Sequence, residues 1–342
     1  MVKKINLSDK IFIAGSSGMA GKSITNLLKR SGYGTETSGG SLLTPSSSEL
    51  NLKDNEKVKR WFDTFRPSVV ILAAAKVGGI LANSKYPADF LIDNLRIQTN
   101  VIENSWQFGV RRLLFLGSSC IYPKFATQPI KEEALLSGKL EFTNDAYAIA
   151  KISGIKLCQA LRRQYNFDAI SVMPTNLYGP GDNYHQTNSH VFASLIHKFC
   201  KAKNDSLKEV VCWGTGNPLR EFLHVDDFAR AVLFLLENWD PFSTDTTLDE
   251  NNYPLDFLNV GTGKDISIYN LANKISDLID YKGKIIWDKS KPDGTPRKVL
   301  DIQRIKDLGW NPLITLDEGI ARSIKEYRKM YINSNKNELD LL

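Results

Sequence analysis

A glycine-rich turn follows a short apolar run near the start of the chain and limits the folds that the chain can adopt. The apolar run covers residues 11–14, and a helical pattern extends from about residue 20 to residue 30. Strand, glycine turn and helix make half of a nucleotide-binding unit, in which the helix N-terminus faces the phosphates. The turn predicts a dinucleotide site built from Gly15, Ser16, Ser17, Gly18, Met19, Ala20 and Gly21.

The same stretch contains Gly21-Lys22-Ser23, which looks like the end of a phosphate-binding P-loop. That motif needs a glycine five residues before the Gly-Lys pair, and the chain has Ser16 there. The spacing therefore favours a dinucleotide turn over a P-loop, although an ordinary loop is the simpler alternative for three glycines alone.

Apolar runs alternate with helical patterns over the next part of the chain. Strand candidates at residues 69–75, 113–117 and 169–173 are separated by helical patterns at about 88–108 and 147–165. This alternation predicts an α/β fold with a Rossmann-type, doubly wound parallel sheet. After Pro174 loops rich in Gly and Pro become frequent, which predicts a smaller C-terminal α/β substrate lobe. The predicted division is 1–180 with 222–262 returning to the dinucleotide-binding domain, 181–221 with 263–333 as the lobe, and 334–342 as a polar tail.

Composition excludes several classes of function. The net charge of +6 is spread along the 342 residues without a basic block, so nucleic-acid binding is not expected. No apolar run reaches the length of a membrane span, and the N-terminus does not look like a signal peptide. The four cysteines show no paired spacing, so we expect neither a metal site nor a disulfide framework, and we expect a cytoplasmic protein.

Tyr147 and Lys151 are four residues apart in a helical pattern, so their side chains share one face. A nearby cation favours the phenolate, and we therefore expect Lys151 to lower the pKa of Tyr147. Such a tyrosine can protonate a carbonyl oxygen while a hydride reaches the carbon, and Ser118 would add a second hydrogen bond to that oxygen. A lone Y-x-x-x-K is also a common amphipathic pair on an exposed helix face, so this spacing alone does not decide the matter.

Six motifs in order shift the balance, because together they resemble the extended short-chain dehydrogenase/reductases. Within that family the chain is similar to the GDP-4-keto-6-deoxy-mannose epimerase–reductases. The motifs are Ala73-Ala-Ala-Lys-Val-Gly-Gly-Ile80, Phe115-Leu-Gly-Ser-Ser-Cys-Ile-Tyr-Pro123, Tyr147-Ala-Ile-Ala-Lys151, Met173-Pro-Thr-Asn-Leu-Tyr-Gly-Pro180, Asn188-Ser-His190 and Trp213-Gly-Thr-Gly-Asn-Pro-Leu-Arg220.

The resemblance implies a set of site residues. Its catalytic residues would be Ser118, Cys120, Tyr147, Lys151 and His190. Besides the glycine turn, residues holding NADP(H) would be Leu116, Gly117, Ser118, Ser119, Lys151, Pro174, Thr175, Asn176, Leu177 and His190. Residues holding a GDP-sugar substrate would be Lys198, Trp213, Arg220 and Asp293. Taken singly, Cys120 is more often a small buried hydrophobe, His190 a helix-start residue, Trp213 a core residue and Arg220 a surface charge.

The implied reaction inverts C3 and C5 of a 4-keto sugar and then reduces C4, which yields GDP-L-fucose. Cys120 would be the base, His190 the acid, and Tyr147 the proton donor to O4. The alternatives are another nucleotide-sugar enzyme, such as a 4-epimerase, 4-reductase or 4,6-dehydratase, and a dinucleotide-binding regulator without turnover. A dehydratase would carry an Asp-Glu pair near Ser118, where this chain has Cys120.

Two further implications have weaker support in the residues. The family usually grips the 2′-phosphate of NADP with arginine, whereas residues 42–51 carry serines there and the turn offers Ser17. Glu36 lies where an acid can bind the 2′-hydroxyl of NAD, but we interpret it as a loop residue before a strand at 42–44. The family also implies a homodimer, supported here by small residues on the long helices, which are Ala148, Ala150, Ser153 and Gly154.

Overall fold

The computed structural model describes residues 3–185, 189–243, 248 and 252–339, with the backbone alone from residue 331 onward. Over these residues the strands are β1 (Lys10–Ala14), β2 (Ser41–Leu43), β3 (Val69–Leu72), β4 (Arg112–Leu116), β5 (Ala169–Pro174), β6 (Asn176–Tyr178), β7 (Glu209–Trp213), β8 (Leu219–His224), β9 (Phe257–Val260), β10 (Asp265–Ser267), β11 (Lys284–Asp288) and β12 (Arg297–Lys298). The helices are α1 (Met19–Arg30), α2 (Asn55–Phe65), α3 (Ile80–Lys85), α4 (Pro87–Gln107), α5 (Asp145–Tyr165), α6 (Val191–Asn204), α7 (Val225–Asn238), α8 (Ile268–Ile279), α9 (Gln303–Asp307) and α10 (Leu316–Leu339).

Six strands form the central sheet, in the order β2-β1-β3-β4-β5-β9, and every neighbouring pair is parallel. Strands β3, β4, β5 and β9 are buried along their whole length, as expected for strands covered by helices on both faces. The predicted α/β fold with a doubly wound parallel sheet is confirmed. Strands β2 and β3 lie on opposite sides of β1, so the order in which strands are added to the sheet reverses at β1. Such a reversal leaves a crevice at the carboxyl ends of the strands.

A second region is built around β8 and has its own apolar cluster. Strand β8 pairs with β6 and β12 in parallel and with β10 in antiparallel, while β7 and β11 form a separate parallel pair. Side chains from α6, α8 and α10, among them Ile196, Leu271 and Ile324, form a buried cluster distinct from that of the central sheet. A smaller α/β lobe is therefore present, and the exact limits of the two domains stay a prediction.

The sequence did not reveal most strands of this second region. They are two to six residues long, which is too short for an alternating pattern to stand out from the loops around them. Helix α10 runs to Leu339 and so includes residues 334–339, which the sequence assigned to a polar tail. Among the described helices, none combines the length and the apolar character needed to cross a membrane.

The two longest helices of the central domain pack closely on each other and on the sheet. Ala148, Ala150 and Gly154 of α5 are buried, and a Cβ at Gly154 would lie 2.5 Å from the ring of Phe115 on β4. Gln98 of α4 donates a hydrogen bond to the carbonyl of Ala150. Ala148, Ala150 and Gly154 thus serve packing within the chain and give no support for a homodimer, while Ser153 of the same set is partly exposed. The homodimer itself stays a prediction.

Candidate active site

A cavity of about 1000 Å³ opens at the carboxyl ends of the central strands and extends to the second region. It is lined by every site residue predicted from the sequence except Ser16, which lies in the glycine turn beside it. We call the part formed by residues 15–21, 116–118, 147, 151 and 174–177 the glycine-turn end. The part formed by Lys198, Trp213, Arg220 and Asp293 is the Trp213 end.

The glycine turn has the shape that a bound pyrophosphate requires. Gly15 has φ +88° and a Cβ there would lie 2.6 Å from the backbone nitrogen of Ala74, so only glycine fits. At Gly18 a Cβ would meet no protein atom closer than the carbonyl oxygen of Gly15 at 3.5 Å, so it would fill cavity space instead. Gly18 caps α1 without a side-chain hydrogen bond, and the first turn of α1 carries no acidic residue. The helix N-terminus is therefore available to an anionic group.

The cavity wall next to the glycine turn is formed by the segment after β2. Ser47, Asn51, Leu52 and Lys53 line it, and the Lys53 ammonium lies 3.4 Å from a carboxylate oxygen of Asp93. The sequence analysis pointed to the serines of this segment but missed residues 51–53, which lie in a loop without a recognisable motif. Glu36 is exposed, precedes β2 and does not line the cavity, as its interpretation as a loop residue requires.

Tyr147 and Lys151 meet the cavity on the first turns of α5. Lys151 is buried, donates a hydrogen bond to the carbonyl of Leu116 over 2.8 Å, and lies over the ring of Phe115 at 4.8 Å. Loss of hydration lowers the pKa of Lys151 to about 7. Burial raises the pKa of Tyr147, with a further increase from the charge of Cys120 and a smaller opposing effect of the Ser118 hydroxyl.

The expectation that Lys151 lowers the pKa of Tyr147 is therefore wrong for the open cavity. The two side chains share a face as predicted, with the Lys151 nitrogen 5.9 Å from the centre of the Tyr147 ring. However, burial penalises both charged forms, so the ammonium and the phenolate are each disfavoured. Tyr147 therefore carries its proton in this structure.

Cys120 follows β4 in a short 3₁₀ turn at Ser119–Ile121. The Ser118 hydroxyl oxygen accepts a hydrogen bond from the backbone N–H of Cys120 at 3.2 Å, which fixes the start of the turn. Cys120 is partly exposed to the cavity, whereas the other three free cysteines are buried. The alternative of Cys120 as an ordinary buried hydrophobe is thus not what the structure shows.

His190 directly precedes α6 and is its N-cap residue, but its side chain makes no capping hydrogen bond. The imidazole lines the cavity, and His190 is partly accessible to solvent. Desolvation by the surrounding protein, and next the positive charge of Lys298, lower the pKa of His190. His190 is therefore a helix-start residue, as the alternative expects, but its side chain does not cap the helix, and it lines the same cavity as Cys120. Asn188 of the same motif lies outside the described residues.

The Trp213 end gathers cations around one indole ring. Trp213 is 44% exposed, so it is not a core residue. The Lys198 ammonium lies 5.2 Å and the Lys291 ammonium 5.8 Å from the centre of its ring. Lys198 also donates a hydrogen bond to the carbonyl of Val211.

Arg220 has few partners for a largely enclosed guanidinium. It donates to the carbonyl of Leu219 at 2.9 Å and to that of Asp293 at 3.3 Å, and within the described chain no carboxylate forms an ion pair with it. Burial lowers the pKa of Arg220. The carboxylate of Asp293 accepts hydrogen bonds from the backbone and hydroxyl of Thr215, so in this structure it holds the β7–β8 turn in place.

Among the cavity residues near this end that the sequence analysis missed are Trp287, Lys291 and Lys298. Trp287 is on β11, and Lys298 on β12 lies beside Cys120 with its ammonium 3.8 Å from the sulfur. A lysine in a Pro-rich loop gives no periodic signal, and only the pairing of β12 with β8 brings Lys298 to the cavity. In the described part of the chain, no group of three His, Cys, Asp or Glu side chains is arranged to hold a metal ion.

Comparisons with known proteins agree on the type of protein that this chain is similar to. Residues 11–246 match the model of the NAD dependent epimerase/dehydratase family. The chain is 49% identical over 328 residues to the probable GDP-L-fucose synthase 1 of Oryza sativa subsp. japonica, covering 96% of this chain and 94% of the relative. It is 49% identical over 312 residues to the GDP-L-fucose synthase of Escherichia coli K12, covering 91% and 94%. A solved GDP-L-fucose synthetase from Naegleria fowleri bound to NADP superposes with a TM-score of 0.80 at 27% identity, covering 94% of this chain and 95% of that one.

Proposed function

The chain belongs to the NAD dependent epimerase/dehydratase family, and on that premise we propose that it converts GDP-4-keto-6-deoxy-D-mannose into GDP-L-fucose. The reaction inverts C3 and C5 of the sugar and then reduces the C4 ketone. The observation that carries the proposal is the shared cavity, because Cys120 and His190 line the same space as Ser118, Tyr147 and Lys151. A base, an acid and a carbonyl proton donor are thus available to one bound sugar.

Inversion needs a base and an acid on opposite faces of the sugar. The protons at C3 and C5 are acidic because the enolate formed by their removal places its charge on O4. Cys120 removes the proton, and His190 delivers a proton to the other face. Ser118 and Tyr147 donate hydrogen bonds to O4 and so stabilise the enolate where its charge develops.

The glycine-turn end fits a nicotinamide dinucleotide, because the space at Gly18 and the uncapped start of α1 suit a pyrophosphate. Residues 15–21 would hold the phosphates, Lys151 the ribose, and residues 116–119 and 174–177 the nicotinamide side. When bound, the reduced coenzyme supplies a hydride to C4.

Tyr147 gives its proton to O4 during the reduction. Its raised pKa in the open cavity keeps that proton in place until charge develops on the oxygen. The Lys151 nitrogen lies 5.9 Å from the centre of the Tyr147 ring, so in its protonated form Lys151 would stabilise the phenolate that forms.

The Trp213 end suits the nucleoside diphosphate of the substrate. Arg220 offers a planar fork of donors that matches phosphate oxygens, and its own chain satisfies only part of it. Lys198 adds positive charge, and Trp213 offers an exposed ring face for the sugar or the base. Asp293 would contribute by holding the turn next to Arg220.

Three finer features belong to the same proposal. We expect NADP(H) as the coenzyme, with Ser17 and Ser47 as hydrogen-bond donors to the 2′-phosphate in place of arginine. We also expect a homodimer, for which the exposed Ile149 of α5 is a better interface candidate than the buried small residues of that helix. A cytoplasmic location agrees with four free cysteines.

The test is incubation of the purified protein with GDP-4-keto-6-deoxy-D-mannose and either NADPH or NADH, followed by chromatography of the products. The expected product is GDP-L-fucose, formed faster with NADPH. A GDP-6-deoxyhexose reduced at C4 without inversion would instead identify a 4-reductase. Coenzyme binding without any turnover of this or other nucleotide sugars would favour a regulator.

A further inference from the structure

Lys298 lies beside the sulfur of Cys120, and the proposed function gives this lysine no role. Its ammonium donates to the sulfur over 3.8 Å, a contact within the range of a hydrogen bond to sulfur. We propose that Lys298 is the positioning residue that keeps Cys120 as a thiolate and directs it into the cavity. This role rests on the proposed function, because it concerns the base of the inversion steps.

The backbone around Lys298 is held on both sides, which fixes the point from which its side chain extends. On one side β12 pairs with β8 and places Lys298 opposite Arg220. On the other side, Val299 donates to the side-chain oxygen of Gln128, and the N–H of Ile130 donates to the carbonyl of Val299. These backbone contacts fix the position of the Lys298 Cα atom relative to the turn that carries Cys120.

A buried carboxylate also holds the backbone next to Lys298. Glu221, fully buried on β8, accepts hydrogen bonds from the backbone of Leu300, Thr262 and Gly263. Because neighbouring residues of a strand point to opposite faces, Glu221 anchors the segment from one face while Arg220 and Lys298 reach the cavity from the other.

The charges facing Cys120 favour the thiolate. Lys298 is in direct contact, and Arg220 lies close enough that a negative sulfur raises its pKa. Tyr147 faces the sulfur from α5 and is neutral, because burial raises its pKa. Glu141, also at this wall, is engaged by the Lys124 ammonium at 2.7 Å, which compensates its charge. An opposite charge within about 4–6 Å typically lowers an acid's pKa by about 1–3 units.

Lys298 itself is not neutralised by another group in the described chain. None of the ion pairs between described residues involves Lys298, and its ammonium contacts the Cys120 sulfur. Desolvation lowers the pKa of His190, and the charge of Lys298 lowers it further, so Lys298 opposes the protonated state that the acid needs.

The chemical step balances without any further reactant. The bond between carbon and hydrogen at C3 or C5 breaks, its proton joins the Cys120 sulfur, and the electron pair moves into the enolate. Lys298 takes no part in the proton transfer and loses only its anionic partner when the thiol forms. His190 then gives its proton to the opposite face of the carbon.

The test measures the thiolate directly. Cys120 is alkylated with iodoacetamide over a range of pH, in the absence of sugar nucleotide, and the modified peptide is quantified by mass spectrometry. Burial raises the pKa of Cys158 to about 12 and of Cys200 and Cys212 to about 11, so these thiols contribute little background. The variants are Lys298→Met, Lys298→Arg and, as matched control, Lys289→Met, which removes an equal charge from an exposed turn outside the cavity.

We expect Lys298→Met to move the midpoint of the alkylation profile upward by about one pH unit or more, which slows alkylation at neutral pH about tenfold. Lys298→Arg should restore most of the rate, and Lys289→Met should match the unmodified protein. Thermal unfolding checks that each variant is folded, and Lys298→Gln replaces the methionine variant should that one aggregate. An unchanged midpoint in a folded Lys298→Met or Lys298→Gln protein would overturn the proposal.

The proposed function fails in a different way. If no GDP-sugar is converted but the midpoint still moves in Lys298→Met, the function is wrong and the Lys298–Cys120 pair stands. If GDP-L-fucose forms and the midpoint does not move, the function stands and Lys298 is not the positioning residue.

Discussion

The two ends of the cavity differ in the number of cationic side chains that line them. At the glycine-turn end, Tyr147 and Lys151 are enclosed without a countercharge, and burial shifts both pKa values toward the neutral forms. At the Trp213 end, positive side chains converge on one wall, and these are Lys198, Arg220, Lys291 and Lys298. Under the proposed function, the first end would give a proton to the sugar and the second would hold the diphosphate of the substrate.

The largest expected effect on the rate comes from a substitution at the glycine-turn end. Tyr147→Phe removes the proton that O4 receives, so the rate of NADPH oxidation with GDP-4-keto-6-deoxy-D-mannose should fall by about 10²–10⁴-fold. The absorbance of NADPH follows this rate. Tyr165→Phe, at the far end of the same helix and outside the cavity, is the matched control. A Tyr147→Phe protein that oxidises NADPH at the normal rate would remove Tyr147 from the mechanism.

A smaller effect is expected when the Trp213 end keeps its charge but loses its geometry. Arg220→Lys retains a cation and loses the planar fork, so the KM for the GDP-sugar should rise by about tenfold while kcat changes little. Initial rates over a range of substrate concentrations give both constants. A drop in kcat at unchanged KM would show that Arg220 acts on the reacting sugar instead of the diphosphate.

The smallest effect concerns Lys151, whose pKa is about 7 in the open cavity. Above that pH the side chain is mostly neutral, and an anionic coenzyme favours the ammonium, so binding should take up a proton. Calorimetry in buffers of different ionisation enthalpy should show an uptake approaching about one proton at about pH 8 and little at about pH 6. In Lys151→Met this pH dependence should disappear; equal uptake at both pH values in the unmodified protein would contradict the neutral state of Lys151.

The contrast between the two ends also explains how far the sequence could predict them. The glycine-turn end is made of contiguous segments at the ends of buried strands, so an apolar run and glycine spacing were enough to find residues 15–21, whereas the segment after β4 was identified mainly through the resemblance. The helix spacing of Tyr147 and Lys151 was correct, but their pKa values depend on desolvation by residues distant in sequence, and this was not predictable from the spacing.

The Trp213 end depends on pairings that no local pattern announces. Lys298 reaches Cys120 only because the two residues of β12 align with β8 across a long stretch of chain. Asp293 was identified through the resemblance, but its engagement with Thr215 follows from the three-dimensional turn. Residues 51–53, which line the cavity, were missed because they lie in a loop without a recognisable motif.

The central claim is that one cavity carries out both inversion and reduction, with Cys120 as the base of the inversion. Its most direct test is incubation of the protein with GDP-4-keto-6-deoxy-D-mannose in D₂O without reduced coenzyme, followed by NMR of the sugar. We predict deuterium at C3 and C5 with the unmodified protein, and none above background with Cys120→Ser. Absence of deuterium at both carbons with the unmodified protein, or incorporation by Cys120→Ser at the normal rate, would contradict the account.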